Sequence, residues 1–220
     1  MQAFDSLSRD IQQYIYDKGW PSLTNIQSAA IKQVANTDHN LILSAPTASG
    51  KTEAAFIPAL NSVEDWETGL KVLYVSPLKA LINDQFQRIS ELSEYLDIPI
   101  TRWHGEVSQA QKRKVVNQPK GVLLITPESI EGMLVNRPGE AQHLFKGVEW
   151  IIIDELHSFL GTERGIHLQS LLQRISQFMQ EPRFIAMSAT LNKKDFGYAK
   201  AFFGSQRDTD ILVDRDKNDL

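Results

Sequence analysis

The chain has 220 residues, of which 42% are hydrophobic, and this is enough to fill one large α/β core. Its formal net charge of −4 excludes a globally basic nucleic-acid binder, so any surface for nucleic acid has to be a local patch. The absence of cysteine excludes disulfides and thiolate metal sites. The sequence has no apolar stretch of membrane length and no signal-peptide pattern at its start, which favours a cytoplasmic protein without a membrane partner.

Apolar runs alternate with amphipathic helical stretches along the whole chain. Seven runs predict strands, at residues 41–43, 72–75, 98–101, 122–125, 150–153, 184–187 and 211–213. Apolar residues at three- and four-residue spacing predict helices between them, as at Leu78, Leu81, Ile82, Phe86 and Ile89. This alternation predicts one α/β domain, a mostly parallel twisted sheet of about seven strands with helices on both faces.

The first predicted strand leads directly into a run of small residues followed by Lys51 and Thr52. Such a turn exposes backbone N–H groups at a helix start, where Lys51 reaches the β- and γ-phosphates of a nucleotide and the Thr52 hydroxyl ligates Mg²⁺. The alternative is an accidental small-residue turn ahead of a helix. The predicted nucleotide-binding loop consists of Ala45, Pro46, Thr47, Ala48, Ser49, Gly50, Lys51 and Thr52. Ala45 replaces the usual opening glycine, at a position that needs only a small residue.

Two adjacent acids, Asp154 and Glu155, close the apolar run at 150–153. A carboxylate at the end of a buried strand can hold Mg²⁺ through water, and its neighbour can orient or deprotonate an attacking water. The alternative is that both acids are the polar first residues of a loop. Behind a phosphate-binding loop, the functional interpretation is favoured.

Each candidate motif follows one of the predicted strands. In parallel strands the carboxyl ends meet at one edge of the sheet, and ligands bind there. The sequence therefore predicts that the motifs cluster at one rim, beginning at Ala45, Ser76, Thr126, Asp154 and Ser188.

The ordered set of motifs resembles the first RecA-like lobe of a superfamily 2 helicase. It is most similar to the Lhr-like and Ski-like branch, because the acidic motif reads Asp-Glu-Leu-His, Trp103-His-Gly stands in the fourth block, and Arg164-Gly165 follows. Leu23 departs from the proline of DEAD-box relatives. The motifs occupy residues 19–27, 45–52, 76–81, 103–106, 126–129, 154–157 and 188–190. Residues 1–36 are then N-terminal helices of the same domain, 37–214 the RecA-like ATP-binding domain and 215–220 a tail.

The resemblance implies ATP and Mg²⁺ as cofactors. Gln27 recognises adenine and Trp20 packs beside the base, although a tryptophan before proline can equally be a core plug and a lone glutamine can lie on a helix surface. Asp154 holds the Mg²⁺ shell and Glu155 polarises the attacking water. The implied catalytic residues are Glu155, Asp154, Lys51 and His157.

A coupling role is implied for His157, which links the nucleotide site to the hydroxyls of Ser188 and Thr190. A helix cap is the simpler explanation of Ser188. His104, His157 and His167 match no known spacing of metal ligands, and a metal site there is disfavoured.

Loops after three strands are implied to track a single strand of nucleic acid, through Pro77, Lys79, His104, Gly105, Thr126 and Pro127. A solvated surface lysine is the alternative for Lys79. The basic run at 109–114 is attributed to a charged helix face.

The predicted function is that of an ATP-dependent helicase or translocase motor lobe, with single-stranded DNA favoured over RNA. The alternatives are a Ski-like RNA remodeller and a nucleotide-dependent clamp that does not unwind. The resemblance implies a second RecA-like lobe as partner, since neither Arg164 nor Arg183 matches the arginines that close on the γ-phosphate. We expect the 220-residue chain to be monomeric and weakly active.

Overall fold

The computed structural model describes residues 2–46, 49–189, 191–204 and 207–214. In this part of the chain, seven parallel strands form one sheet in the order β3-β4-β2-β5-β6-β1-β7. The strands are β1 Asn40–Ser44, β2 Gly69–Val75, β3 Ile100–Trp103, β4 Lys120–Ile125, β5 Trp150–Ile153, β6 Arg183–Ser188 and β7 Thr209–Val213. The predicted parallel α/β sheet is confirmed.

One strand begins later than the apolar pattern predicts. Residues 98 and 99 belong to the turn that ends the preceding helix, because the backbone N–H of Ile98 donates to the Ser93 carbonyl at 2.8 Å. Pro99 follows and has no N–H to offer to a ladder. Strand β3 therefore begins at Ile100.

The helices lie on both faces of the sheet. They are α1 Arg9–Asp17, α2 Asn25–Asn36, α3 Lys51–Ser62, α4 Lys79–Tyr95, α5 Gln109–Asn117, α6 Pro127–Asn136, α7 Pro138–Phe145, α8 Glu163–Ser176 and α9 Phe196–Ala201. Leu78 precedes α4 and is exposed, so this residue of the predicted apolar stripe does not contribute to the core.

Alternate residues of the strands point to two separate cores. Val72 and Tyr74 of β2 pack with α1 to α4, whereas Leu73 and Val75 pack with α6 to α9. This two-residue period is the geometry of a strand buried on both faces. The N-terminal helices α1 and α2 share the first of these cores with the sheet. None of the described helices is long and apolar enough to cross a membrane.

The strand order determines which motifs become neighbours. Strands β5, β6 and β1 lie side by side, so the residues that follow them meet at the carboxyl rim of the sheet. This rim brings together Ala45 after β1, Asp154 after β5 and Ser188 at the end of β6. The predicted tail, residues 215–220, lies outside the described residues.

Candidate functional site

The ammonium group of Lys51 lies against the two residues that follow β1. Its Nζ donates to the carbonyl oxygens of Ala45 and Pro46, both at 2.5 Å. Burial lowers the pKa of Lys51, while the negative charges of Glu155 and Asp154 act in the opposite direction. Lys51 is thus a partly desolvated cation held between the loop and the acidic pair. The predicted loop residues Thr47 and Ala48 lie outside the described residues.

Two small residues of the loop fit tightly packed positions. Ala45 is fully buried, and its N–H donates to the Ser188 carbonyl at 3.3 Å, so a small side chain satisfies this position. Gly50 caps α3 in the left-handed region, with φ of 83°. A Cβ atom at Gly50 would lie 2.6 Å from Nε2 of Gln27, so both its backbone angle and its neighbour favour glycine.

Gln27 lies beneath this loop and not on a helix surface, since only 4% of the residue is exposed. Its Oε1 accepts from the backbone N–H of Thr24 at 2.9 Å, which completes a capping box at the start of α2. Its Nε2 donates to the Gly50 carbonyl at 3.5 Å. The amide therefore ties α2 to the loop, and adenine recognition by Gln27 stays a prediction.

Trp20 is half-buried beside Gln27's helix. Its ring meets Tyr14 edge-on, with centroids 6.2 Å apart. It also borders a cavity of about 440 Å³ together with Phe4 and Leu23. Both the core contact and an open side are present, so the predicted contact with the base and the core plug remain alternatives.

Asp154 is buried at the end of β5, where two donors hold its carboxylate. The hydroxyl of Tyr74 donates to Oδ2, and the backbone N–H of Glu155 donates to Oδ1 at 2.9 Å. Burial raises the pKa of Asp154 above its ordinary value, although these donors and Lys51 favour the ionised form. Burial and the adjacent Asp154 also raise the pKa of Tyr74. A buried carboxylate is costly unless its charge is paired, so a bound cation would stabilise the ionised form of Asp154.

Thr52 is the second residue of α3 and is buried. Its Oγ1 donates to Oε1 of Gln85 in α4 at 3.1 Å. The hydroxyl and the Asp154 carboxylate supply oxygen ligands, the type that Mg²⁺ prefers. The described part of the chain contains no group of three or more His, Cys, Asp or Glu able to hold a metal.

Glu155 and His157 form the link from the acidic pair to β6. Glu155 adopts left-handed backbone angles, with φ of 49° and ψ of 46°, which a residue with a side chain rarely does. Its Oε2 lies 3.3 Å from Nδ1 of His157. The same nitrogen lies 3.2 Å from the Ala189 backbone N–H and 3.4 Å from Oγ of Ser188. The structure thus brings Glu155, His157 and Ser188 together, and Thr190 lies outside the described residues.

The loops predicted for nucleic acid share the same rim. Lys79 opens α4 and pairs with Glu106 across an exposed surface. His104 is buried, which lowers its pKa, and neither ring nitrogen has a hydrogen-bond partner among the described residues. Gly105 follows and is exposed.

The third of these loops caps a helix. Thr126 accepts from the Ser129 N–H at 3.3 Å, and Pro127 is the first residue of α6. The N–H groups of Ser129 and Ile130 also donate to the Thr126 carbonyl, at 3.0 and 3.2 Å, so this helix start is closed within its own turn. Pro77, in the first loop, offers its carbonyl to a residue that sequence reasoning gave no role.

That residue is Arg164, in the first turn of α8. Its guanidinium donates to the Pro77 carbonyl and, at 2.7 Å, to Oε1 of Glu128, so it ties two of the predicted nucleic-acid loops together. The Arg164-Gly165 pair, which is typical of the family branch, is the sequence feature that could indicate this role. Nothing in the sequence indicates a role at the site for Tyr74 or Gln85. Tyr74 is part of an apolar strand, and Gln85 is a polar residue of an amphipathic helix.

The comparisons with known proteins agree with this geometry. The family model of the DEAD/DEAH box helicase matches residues 24–196. The ATP-dependent helicase Lhr-Core of Methanocaldococcus jannaschii is 30% identical, over 96% of this chain and 26% of that protein. The Lhr helicase/uracil glycosylase of Escherichia coli is 32% identical, over 86% of this chain and 13% of that protein. This chain thus spans about a quarter, or less, of the relatives that it matches.

Solved structures give the same answer. The Mycobacterium smegmatis helicase Lhr bound to ssDNA and AMP-PNP superposes with a TM-score of 0.85 at 28% identity, over 98% of this chain and 28% of that one. DEAD-box helicase Mss116, at 20% identity and a TM-score of 0.81, shares the fold. The predicted similarity to the Lhr-like branch is confirmed. This chain belongs to the DEAD/DEAH box helicase family.

Proposed function

We propose that this chain is the ATP-binding motor lobe of an ATP-dependent helicase or translocase that moves on single-stranded nucleic acid. The observation that carries the proposal is the convergence at one rim of a loop lysine, a buried acid and a second acid. Lys51 follows β1, and Asp154 and Glu155 follow β5. The negative charges of both acids act to raise the pKa of Lys51. A lysine for the phosphate oxygens, a carboxylate for Mg²⁺ and a residue that orients the attacking water are parts that recur in enzymes of phosphoryl transfer.

Nucleotide binding exchanges one set of contacts of Lys51 for another. The ammonium now donates to two neutral carbonyl oxygens, and phosphate oxygens offer it stronger, charge-assisted hydrogen bonds. Thr52 and Asp154 are the residues that would hold Mg²⁺, which supplies positive charge against the phosphate oxygens during hydrolysis. Their oxygen donors fit this ion, and thiolate or clustered histidine ligands would not.

Glu155 is the candidate for orienting and deprotonating the attacking water. Its neighbour Asp154 is fixed by Tyr74, whereas the Glu155 carboxylate is half-exposed and near His157. A carboxylate with access to solvent can exchange a proton with water, which suits a general base. His157 then connects this carboxylate to the hydroxyl of Ser188 at the end of β6. Binding of a nucleotide at the site can change this contact and so affect β6.

Single-stranded nucleic acid is the proposed partner of the adjacent loops. The relative from Mycobacterium smegmatis is bound to ssDNA, and this likeness favours DNA over RNA. A second RecA-like lobe is the proposed structural partner, which would supply arginines to the γ-phosphate. A Ski-like RNA remodeller and a clamp without unwinding are separated from this proposal by strand displacement on DNA and RNA duplexes with the full-length protein.

The first test is calorimetric titration of ATP with Mg²⁺ into the chain and its Lys51→Ala variant. Loss of a charge-assisted contact costs about 1.5–3 kcal/mol, so we expect roughly ten- to a hundredfold weaker binding. Lys146→Ala, which removes an exposed lysine at the end of α7, is the matched control and should bind like the parent chain. Equal affinities of all three proteins, with unchanged melting temperatures, would contradict the phosphate-binding assignment.

A further inference from the structure

A second cavity, of about 310 Å³, opens between helices α5 and α6 beside the end of β3. Trp103, the last residue of β3, forms one wall, and Gly105 of the following loop borders it. Lys112 and Gln109 come from α5, and Arg137 follows α6. The cavity lies outside the nucleotide site and holds none of the residues assigned to ATP.

Both charged side chains that line this cavity are positive. Its lining contains two cations, Lys112 and Arg137, and no carboxylate. Lys112 is half-buried with its ammonium 5.7 Å from the centre of the Trp103 ring, and it forms no ion pair with any described carboxylate. Arg137 is exposed and lies 3.4 Å from Glu140, and such a surface ion pair contributes little to the stability of the fold. An unpaired cation fixed over an aromatic ring favours an anionic ligand.

The cavity continues the loops that are proposed to hold nucleic acid. Gly105 belongs to both the cavity and the loop after β3. Ser129 also lines the cavity, and its N–H is bound by the cap residue Thr126 of the loop after β4. A Cβ atom at Gly105 or Gly132 would meet no atom within 4 Å, so the surface between the two helices is open to a ligand. A strand that leaves the loop at Thr126 would reach this opening next.

We infer that the sugar-phosphate backbone of a single strand runs from the Thr126–Pro127 loop into this cavity, where Lys112 and Arg137 bind its phosphates. The inference rests on the proposed function and extends its nucleic-acid track beyond the loops that the motifs mark. The amides of Gln109 and Asn136 line the same cavity and can hydrogen-bond phosphate or sugar oxygens.

This assignment changes the interpretation of the basic run at 109–114. Helix α5 has no buried residue, as a charged solvent face requires, and Lys114 fits that description. Lys112 does not, because it packs on Trp103 and faces the cavity. Since DNA and RNA carry the same phosphate groups, we expect Lys112 and Arg137 to bind the phosphates of both alike.

The test measures binding of fluorescent single strands to the 220-residue chain by anisotropy at low salt, where phosphate contacts are strongest. The variant combines Lys112→Gln with Arg137→Gln. Its charge-matched control combines Lys114→Gln with Lys146→Gln, two exposed lysines outside the cavity. Poly-dT and poly-rU strands of about 6 to about 20 nucleotides cover short and long binding sites. Melting temperatures of both double variants verify the fold.

We expect the cavity variant to bind long strands about 10- to 100-fold more weakly than the charge-matched control, with a much smaller difference on the shortest strands. The slope of log K against log salt should fall in magnitude by about 1.4, since each phosphate contact on a single strand contributes about 0.7. Equal loss on poly-dT and poly-rU is expected from backbone contacts.

Two outcomes contradict different statements. If the parent chain binds strands and the cavity variant matches its control at every length and salt concentration, the cavity is not part of the track. If the parent chain, with or without a nucleotide analogue, binds no strand at low salt, the nucleic-acid part of the proposed function is wrong and the extension fails with it. Restoring tight binding by Lys112→Arg with Arg137→Lys would support charge, and not shape, as the cause.

Discussion

Replacing Tyr74 by phenylalanine removes one hydroxyl from the acidic site and leaves the packing of a buried ring unchanged. The hydroxyl donates to Oδ2 of Asp154, whose other described donor is the Glu155 N–H. Burial already raises the pKa of Asp154, and loss of the donor raises this pKa further. We therefore expect Tyr74→Phe to lower the free energy of unfolding in a pH-dependent way.

The direction of this pH dependence follows from the linkage between protonation and folding. A carboxyl group whose folded-state pKa is raised stabilises the fold below its unfolded-state pKa, and this stability is lost as pH rises through the folded-state pKa. At neutral pH the variant lacks a hydrogen bond to a charged group, worth about 1.5–3 kcal/mol. In acid, where Asp154 is protonated, it lacks a neutral hydrogen bond, worth about 0.5–1.5 kcal/mol. The difference between Tyr74→Phe and the parent chain should therefore shrink as pH falls.

Urea unfolding followed by circular dichroism at neutral and acid pH measures both values. Tyr95→Phe is the matched control, because it removes a hydroxyl that donates to the exposed carboxylate of Asp17 at 2.7 Å, far from the site. This control should differ little from the parent chain at either pH. A loss for Tyr74→Phe that is the same at both pH values, or no larger than that of Tyr95→Phe, would refute an ionised, buried Asp154.

Three further predictions follow from the site and its supports. Glu155→Gln should bind ATP with Mg²⁺ normally but hydrolyse it about 10²–10⁴-fold more slowly in the full-length enzyme, and normal turnover with poor binding would assign Glu155 a structural role. Gly165→Ala should lower the free energy of unfolding by about 1–3 kcal/mol, because its Cβ would lie 1.8 Å from the Phe159 carbonyl; Gly197→Ala, with open space around its Cβ, is the urea-denaturation control. The 220-residue chain alone should show little steady-state ATPase activity with or without single-stranded DNA, since an arginine finger is worth about 10³–10⁵-fold and Arg164 is engaged with Glu128; robust DNA-stimulated turnover would contradict this.

Most of the fold could be predicted because buried parallel strands leave a simple record in the sequence. Strands such as 150–153 are apolar throughout, and every predicted strand is present. The boundaries are less exact where local hydrogen bonds compete with the sheet. Ile98 is apolar and β-branched, yet its N–H closes the turn after α4, so the strand starts two residues later. Apolar character alone does not distinguish these two uses.

The common location of the candidate residues could also be predicted, since the carboxyl ends of parallel strands meet at one edge of the sheet. Lys51 and Asp154 lie 103 positions apart in the chain and are brought together only because β1 and β5 flank β6. The supporting residues could not be predicted. Tyr74 alternates with apolar neighbours in β2, and nothing in its sequence context indicates that its hydroxyl meets Asp154. Such contacts depend on strand register, and the apolar pattern of strands that are buried on both faces does not reveal the register.

The Arg164-Gly165 pair illustrates how a family signature acquires a physical cause. Gly165 allows the start of α8 to approach the Phe159 carbonyl so closely that any side chain would collide with it. This approach fixes the first turn of α8 against the loop, and the preceding Arg164 then reaches both the Pro77 carbonyl and Glu128. With a larger residue in place of Gly165, the start of α8 would have to shift, and this shift would move Arg164 away from both partners. The two residues therefore act as one device, in which close backbone packing positions a cation between two loops of the proposed nucleic-acid track.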